Sequence, residues 1–312
     1  MQGSAFVSID PKSLKLFASV IKHGTIAAAA ENAHIAAAAV SRRMSDLEGL
    51  MGTELLMRSN KGIEATPAGL ALLDLSHRVL NELDHIKLQM RDYAMGTKGH
   101  VRVFVNISAI TQFMPNELSA FLAENPQIQI HLEEHVSTGI ARAIIENNAD
   151  VGVMTLDGHI EGVEMLPYQE DELVVVVPRS HPLAGKQTIK FEETIECDYV
   201  GLPAGSQVNR QLIRASRDLG KPWRNRFQVP SYDALCFMVE SGLGIGLLPR
   251  RTAIKYANVF ELWVATLDEP WAHRKIVICI RSYDALSPPA RQLVDRMIRK
   301  DSSMRRGQES NP

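Results

Sequence analysis

Two adjacent arginines, Arg42 and Arg43, stand between Ser41 and Ser45 near the start of the chain. Val40, Met44, Leu47 and Met51 recur around them at i, i+4, i+7 and i+11, the spacing of one helical face. The polar residues then fall on other faces of the same helix. Arginine can donate two hydrogen bonds to a guanine edge or pair with phosphate, and a serine hydroxyl can bond a phosphate oxygen. The chemistry implied is recognition of double-stranded DNA. Thr25 at the start of the preceding segment and Ala37 at the start of this one join the candidate DNA-contacting set. Arg58 and Lys61, further on, could touch backbone across the minor groove. A solvated helix face is the plain alternative for the arginine pair, and loop solubility for Arg58 and Lys61.

A second set lies later, where predicted strands run into predicted helices. Ser108 follows Val101–Ile107, Ser137 and Thr138 open the segment to Asn147, and Pro203, Ser206 and Gln207 precede Val208. Helix N-termini carry unpaired N–H groups and suit anions. Ser108, Ser137, Thr138, Pro203, Ser206 and Gln207 are therefore the candidate small-molecule contacts, although each hydroxyl can equally be only a helix cap. No arginine clamp can be assigned from spacing.

Other motifs carry no catalytic or cofactor chemistry. Gly242-x-Gly-x-Gly246 lacks the spacing of a dinucleotide loop, and Gly201–Ser206 lacks the lysine of a phosphate loop. Cys197, Cys236 and Cys279 lie far apart, which argues against a zinc site or a disulfide framework and for buried thiols. His131 and His135 fall at a strand end and are not read as a metal pair. No enzyme, cofactor or metal is expected.

Three zones must position these residues. Residues 1–69 hold short helical segments: Leu14, Phe17 and Ile21 keep helical spacing up to His23-Gly24, Thr25 caps a second helix, and a third begins near Ala36 after a turn at His34-Ile35. A polar turn at residues 59–62 and an extended stretch to Thr66 complete a wing, giving a winged helix-turn-helix whose third helix would enter the major groove. From Pro67 to Met95 one long helix is expected. Leu72, Val79, Ile86 and Tyr93 recur every seven residues, with Leu83 and Met90 four after Val79 and Ile86 and one polar interruption at Ser76. That seam predicts pairing with a second helix; a lone amphipathic helix is the alternative. Residues 70–99 are thus a linker and dimerisation segment ending in a glycine-bounded hinge. Residues 100–300 alternate strand-like and helix-like pieces, the pattern of an α/β domain with parallel sheets covered on both faces. A polar tail, 301–312, is expected to be disordered.

Composition sets the frame. The 312 residues predict two or three domains, with no apolar run near the ~20 residues that would span a bilayer. Met1–Ile9 lacks a basic start and a long apolar stretch, so a cytoplasmic location is expected. Net charge is -2, and residues 1–69 hold seven Lys/Arg against six Asp/Glu. DNA binding therefore needs a local basic surface. A transporter-type solute-binding protein and a ligand-independent architectural DNA-binder are the rival readings; residues 11–69 count against the first, and the long α/β region against the second.

The run Leu16-Phe17, Gly24-Thr25, Ala29-Ala30-Glu31, His34-Ile35, Ala39-Val40-Ser41-Arg42, Leu47-Glu48, Leu55, Arg58, Thr66 and Ala68-Gly69 resembles the LysR-type transcriptional regulators. Residues 174–183 and Gly242–Pro249 continue the resemblance over nearly the whole chain. It implies a homodimer or homotetramer joined through the linker helix. It also implies a two-lobed effector domain similar to periplasmic binding proteins, lobe I near 100–167 and 271–300, lobe II near 168–270. The chain would cross between lobes near Pro167 and return near Trp271. The implied partners are DNA, a small-molecule effector (a small organic anion by analogy) and RNA polymerase, with allosteric control of transcription. One departure stands out: Ala36, Ala37 and Ala38 occupy positions where the family commonly carries a Ser-Gln-Pro-like run, leaving base reading to Ser41, Arg42, Arg43 and apolar contacts.

Overall fold

The structure, a computed structural model, describes residues 9–59, 62–94 and 99–308. The chain divides into two compact units, the first covering residues 1–95 together with the short stretch 146–148, the second the remainder.

In the first unit, α1 (Pro11–His23) starts with Asp10 accepting the Ser13 N–H and stops at Gly24, whose φ of 72° is left-handed. Then follow α2 (Ile26–Asn32), α3 (Ala37–Met51), the antiparallel pair β1 (Leu56–Ser59) and β2 (Gly62–Ala65), and the long α4 (Pro67–Ala94). Phe17, Val20, Val40, Met44, Leu47 and Leu55 form the core of this unit, with Leu72 and Leu73 of α4 packed against it. Gly69 sits where α4 meets the wing: a Cβ there would overlap the Leu55 carbonyl oxygen.

The second unit runs β3 (Gly99–Val105), α5 (Ile107–Gln112), α6 (Met114–Glu124), β4 (Ile128–Glu134), α7 (Ser137–Ile145), β5 (Val151–Thr155), β6 (Glu164–Pro178), β7 (Thr188–Ile189), β8 (Asp198–Gly201), α8 (Gln207–Asp218), β9 (Arg224–Gln228), α9 (Tyr232–Glu240), β10 (Gly246–Pro249), α10 (Arg250–Ala257), β11 (Leu262–Leu267), β12 (His273–Ile280) and α11 (Pro288–Gln308). The main sheet is ordered β4-β3-β5-β12-β6-β11-β7, with β10 also on β6. The early half of β6 pairs with β12 from Glu164 to Glu172, and its late half pairs with β10 and β11 from Leu173 to Pro178. One strand thus leaves the first lobe for the second and β12 returns beside it.

This geometry corrects the expectation of wholly parallel sheets. β3 is parallel to β4 and β5, but β12 is antiparallel to β5 and β6, because an outgoing and a returning strand must run opposite ways. Two lobes have separate cores. Val101, Val103, Phe121, Leu293 and Met297 fill the first. In the second, Val175 and Val177 face Phe191, Leu212 and Ile245, while Val174 and Val176 face Tyr232, Leu235 and Leu248. Alternate residues of β6 therefore serve opposite faces, which explains an unbroken valine run. The C-terminal helix continues to Gln308, into the stretch expected to be disordered; its residues are mostly good helix formers, and polarity alone does not end a helix. The hinge residues Gly96, Thr97 and Lys98 lie outside the described residues.

Candidate DNA-reading helix and interlobe cleft

The turn between α2 and α3 closes through His34, which adopts a left-handed φ of 53°. Ala36 offers α3 no side-chain cap. The buried face of α3 is Val40, Met44 and Leu47; Ala36, Ala37, Ala38, Ala39, Arg42, Ser45 and Asp46 are exposed and Ser41 is half-buried. Arg42, Ser45 and Ala37 thus share the outer side.

Arg43 does not. Its Nη1 donates to Asp10 Oδ2 at 3.0 Å and to Ser13 Oγ at 3.0 Å. One residue is about 100° of helix rotation, which carries Arg43 to the flank beside α1. Hydrogen bonds from Ser13, helped by the Arg43 charge, hold the Asp10 carboxyl below its ordinary range against slight desolvation. The expectation that both arginines project outward is corrected: Arg43 braces α3 on α1. Thr25 is exposed and its Oγ1 accepts the Ala28 N–H at 3.1 Å, so it caps α2. Arg58 lies on β1 with its side chain outside the described residues, as is the whole of Lys61. The wing is fixed by the Ile63 N–H donating to the Gly24 carbonyl at 2.7 Å.

Along α4, Val79, Ile86 and Met90 are exposed at 47%, 48% and 55%, and Leu75, absent from the predicted seam, at 52%. Leu83 is half-buried, and the Tyr93 side chain is outside the described residues. Leu72 is partly buried and packs against the core of the first unit, apart from the exposed stripe. Ser76 is buried and donates to the Leu72 carbonyl at 2.6 Å, so it does not interrupt the exposed stripe.

In the second unit a cavity of about 50 Å³ lies between the lobes, and Ser108, Ser137, Pro203, Ser206 and Gln207 line it. Thr138 is exposed and is not among the residues that line it. Several polar hydrogens and oxygens here are already committed. Asn106 caps α5 through Ala109 and donates to Thr155 Oγ1 at 2.9 Å; Ser206 caps α8 through Asn209.

The floor was not foreseen. Arg274, on β12, is a lining residue, and its guanidinium donates to Asp171 on β6, to Ser108 Oγ at 3.2 Å and to Gln207 Oε1 at 3.2 Å. Arg274 and Asp171 stand opposite each other in the strand register. Ser108 Oγ also lies 3.1 Å from the Tyr232 hydroxyl, whose pKa burial pushes up to about 12. Tyr232 is therefore neutral and can complete the chain of hydrogen bonds as donor or acceptor. Glu134, also on the lining, has its pKa raised by burial. No cue in residue spacing marks Arg274, because only the strand pairing brings it to the cleft.

Among the described residues no group of three or more His, Cys, Asp or Glu could hold a metal ion, and no helix is long and apolar enough to cross a membrane.

Residues 11–70 match the family described as bacterial regulatory helix-turn-helix protein, lysR family, and residues 94–301 match the LysR substrate binding domain. Among curated proteins the chain is similar to an uncharacterized HTH-type transcriptional regulator, YbhD of Escherichia coli (strain K12), with 25% identity over 92% of this chain and 90% of that one. Among solved structures it is similar to full-length CbnR complexed with its target DNA, at a TM-score of 0.65, 23% identity, 93% of this chain and 99% of that one. It is also similar to the effector binding domain of QuiR in complex with shikimate, at a TM-score of 0.59, 18% identity, 66% of this chain and 98% of that one.

Proposed function

We propose, from the premise that this chain belongs to the LysR family, that it is a transcriptional regulator whose hold on DNA is governed by a small organic anion bound between its lobes. The observation that carries the reading is convergence. Arg274 from the returning strand, the first residues of α7 and α8, and Ser108 and Gln207 from opposite lobes all meet at one cavity. An anion there would gain the positive ends of two helices and a guanidinium whose present partners include two neutral oxygens. The related QuiR effector binding domain, described with shikimate, supports a small-molecule ligand for this part of the chain.

The cavity is well below the ~300 Å³ of ordinary ligand pockets. Binding therefore requires the lobes to separate and close again, and that change supplies the two states a switch needs. Arg42 and Ser45 would touch DNA from α3, with Ser41, Thr25 and Ala37 beside them and Arg58 and Lys61 on the wing; CbnR, described with target DNA, supports DNA as the partner. The exposed stripe Leu75, Val79, Ile86 and Met90 would pair two chains into a homodimer, or dimers into a tetramer, and so set two α3 helices on a pseudo-palindrome. The protein would act in the cytoplasm beside RNA polymerase, without catalysis.

The test is a titration of the full chain with DNA from upstream of its own gene, with and without a panel of small carboxylates, alongside calorimetry for binding. Ser108→Ala combined with Ser206→Ala should weaken any carboxylate that binds. Unchanged affinity in that variant would remove the cleft from the reading, and no salt-sensitive binding to any duplex would remove DNA.

A further inference from the structure

At one end of the cleft, a single carboxylate joins the two lobes. Asp157 lies two residues past β5, in the first lobe; Arg210 and Arg214 lie on α8, in the second. Arg210 donates to Asp157 Oδ2 through Nε at 3.2 Å and Nη2 at 3.0 Å, and Arg214 Nη1 donates to Oδ1 at 2.8 Å. Both carboxylate oxygens are engaged. Arg210 Nη1 further donates to the Gly205 carbonyl at 2.7 Å, which ties the guanidinium to the loop that supplies Pro203, Ser206 and Gln207 to the cavity.

We propose that Asp157, Arg210 and Arg214 form an ionic latch across the cleft and that its opening is the step that admits a ligand. The inference rests on the cleft being the effector site. Three observations carry it. Every bond of the triad to Asp157 crosses from one lobe to the other, so separating the lobes must break all of them together. The latch is one helical turn from Ser206 and Gln207, so it acts at the mouth and not in a distant part of the fold. The walls behind it approach closely: a Cβ added at Gly205 would already lie in van der Waals contact, 3.5 Å, with Val136 of the opposite lobe. With the walls this close and a small void behind them, admission requires separation. A network in which one carboxylate serves two arginines holds better than an isolated exposed pair, yet Arg214 is 58% exposed, so salt reaches it. The triad also carries one more positive than negative charge, and an approaching anion is drawn to it.

Hydrogen exchange on the full-length chain tests this without knowledge of effector or operator. Asp157→Asn should raise exchange about three- to tenfold in peptides covering residues 134–140 and 202–210, with β6 and β12 unchanged. Sodium chloride at about 1 M should do the same to the wild type and little to the variant. Reversing all three charges (Asp157→Arg with Arg210→Asp and Arg214→Asp) should restore protection. The latch is refuted if the cleft peptides respond neither to Asp157→Asn nor to salt, or if the reversed triad exchanges as fast as Asp157→Asn. Should Asp157→Asn fail to fold, the wild-type salt titration decides alone: faster exchange confined to the cleft peptides supports the latch, and no change overturns it. A carboxylate panel that never binds would count against the effector site while leaving the exchange result intact.

Discussion

Replacing Asp171 by asparagine should cost this protein more stability than its conservative shape implies. The Arg274 and Asp171 side chains are 2% and 1% exposed, so the pair is desolvated on both sides. Asparagine keeps the volume but leaves the guanidinium buried with only neutral partners, Ser108 and Gln207. Breaking one side of such a pair costs about 3–5 kcal/mol. For a unit of this size each kcal/mol lowers the melting temperature by roughly 2–4 °C, so a drop of about 6–20 °C is expected in calorimetry of the full chain. Replacing both members by apolar side chains, as Asp171→Leu with Arg274→Met, should recover much of that loss, since no charge is then buried. Asp171→Asn should also gain more melting temperature from added acetate than the wild type does, because an anion bound only to the folded state stabilises it by mass action. The reasoning fails if Asp171→Asn melts within about 1 kcal/mol of the wild type, or if the double replacement is as unstable as the sum of the singles.

Four further outcomes follow from the same geometry. Arg42→Ala should weaken duplex binding by about 1–3 kcal/mol if it reads a base, or lower the salt slope by about one if it meets phosphate, whereas Arg43→Ala should act first on stability, by less than about 1 kcal/mol because its ion pair is partly exposed; parallel anisotropy and melting curves separate the two. Gly69→Ala should destabilise the first unit by about 1–3 kcal/mol, since its Cβ meets backbone that cannot move aside, and chemical denaturation with a first-unit probe checks it. The thiols should resist disulfide reagents and peroxide at neutral pH while the chain is folded: burial and nearby acids push Cys236 up to about 12 and raise Cys197, and burial alone pushes Cys279 up to about 12. Partial burial works to raise the Asp157 pKa, but hydrogen bonds from Arg214 and Arg210 outweigh it and hold the carboxyl below its usual range. A depressed folded pKa gives stability that is complete above the unfolded-state pKa and is lost as pH falls through the lower folded value. The excess cleft exchange of Asp157→Asn over the wild type, corrected for intrinsic rates, should therefore stay constant from about pH 8 to about pH 5 and shrink only in stronger acid.

What could be read from residue order was whatever depends on a residue's place within its own element. Val40, Met44 and Leu47 reach the core because their spacing lets them, and the polar remainder of α3 was legible by the same rule up to Arg43, where a long side chain on the flank found Asp10 across 33 positions. Leu72 meets the same limit: its seven-residue spacing with Val79 is real, but in the second turn of α4 its partly buried side chain packs against the core of the first unit. Strand β9 pairs with β8 although its side chains are largely exposed, so no apolar alternation announced it. The cleft divides along the same line. Ser108, Ser137, Pro203, Ser206 and Gln207 were accessible because strand ends and helix starts are local events. Arg274 and Asp171 meet across 103 positions through the register of two antiparallel strands. The charge that defines the floor of the site thus belongs to the pairing of β6 with β12. It follows that a relative could keep every serine on the cleft walls, lose this one cross-strand pair, and bind a different class of ligand with no local change to mark it.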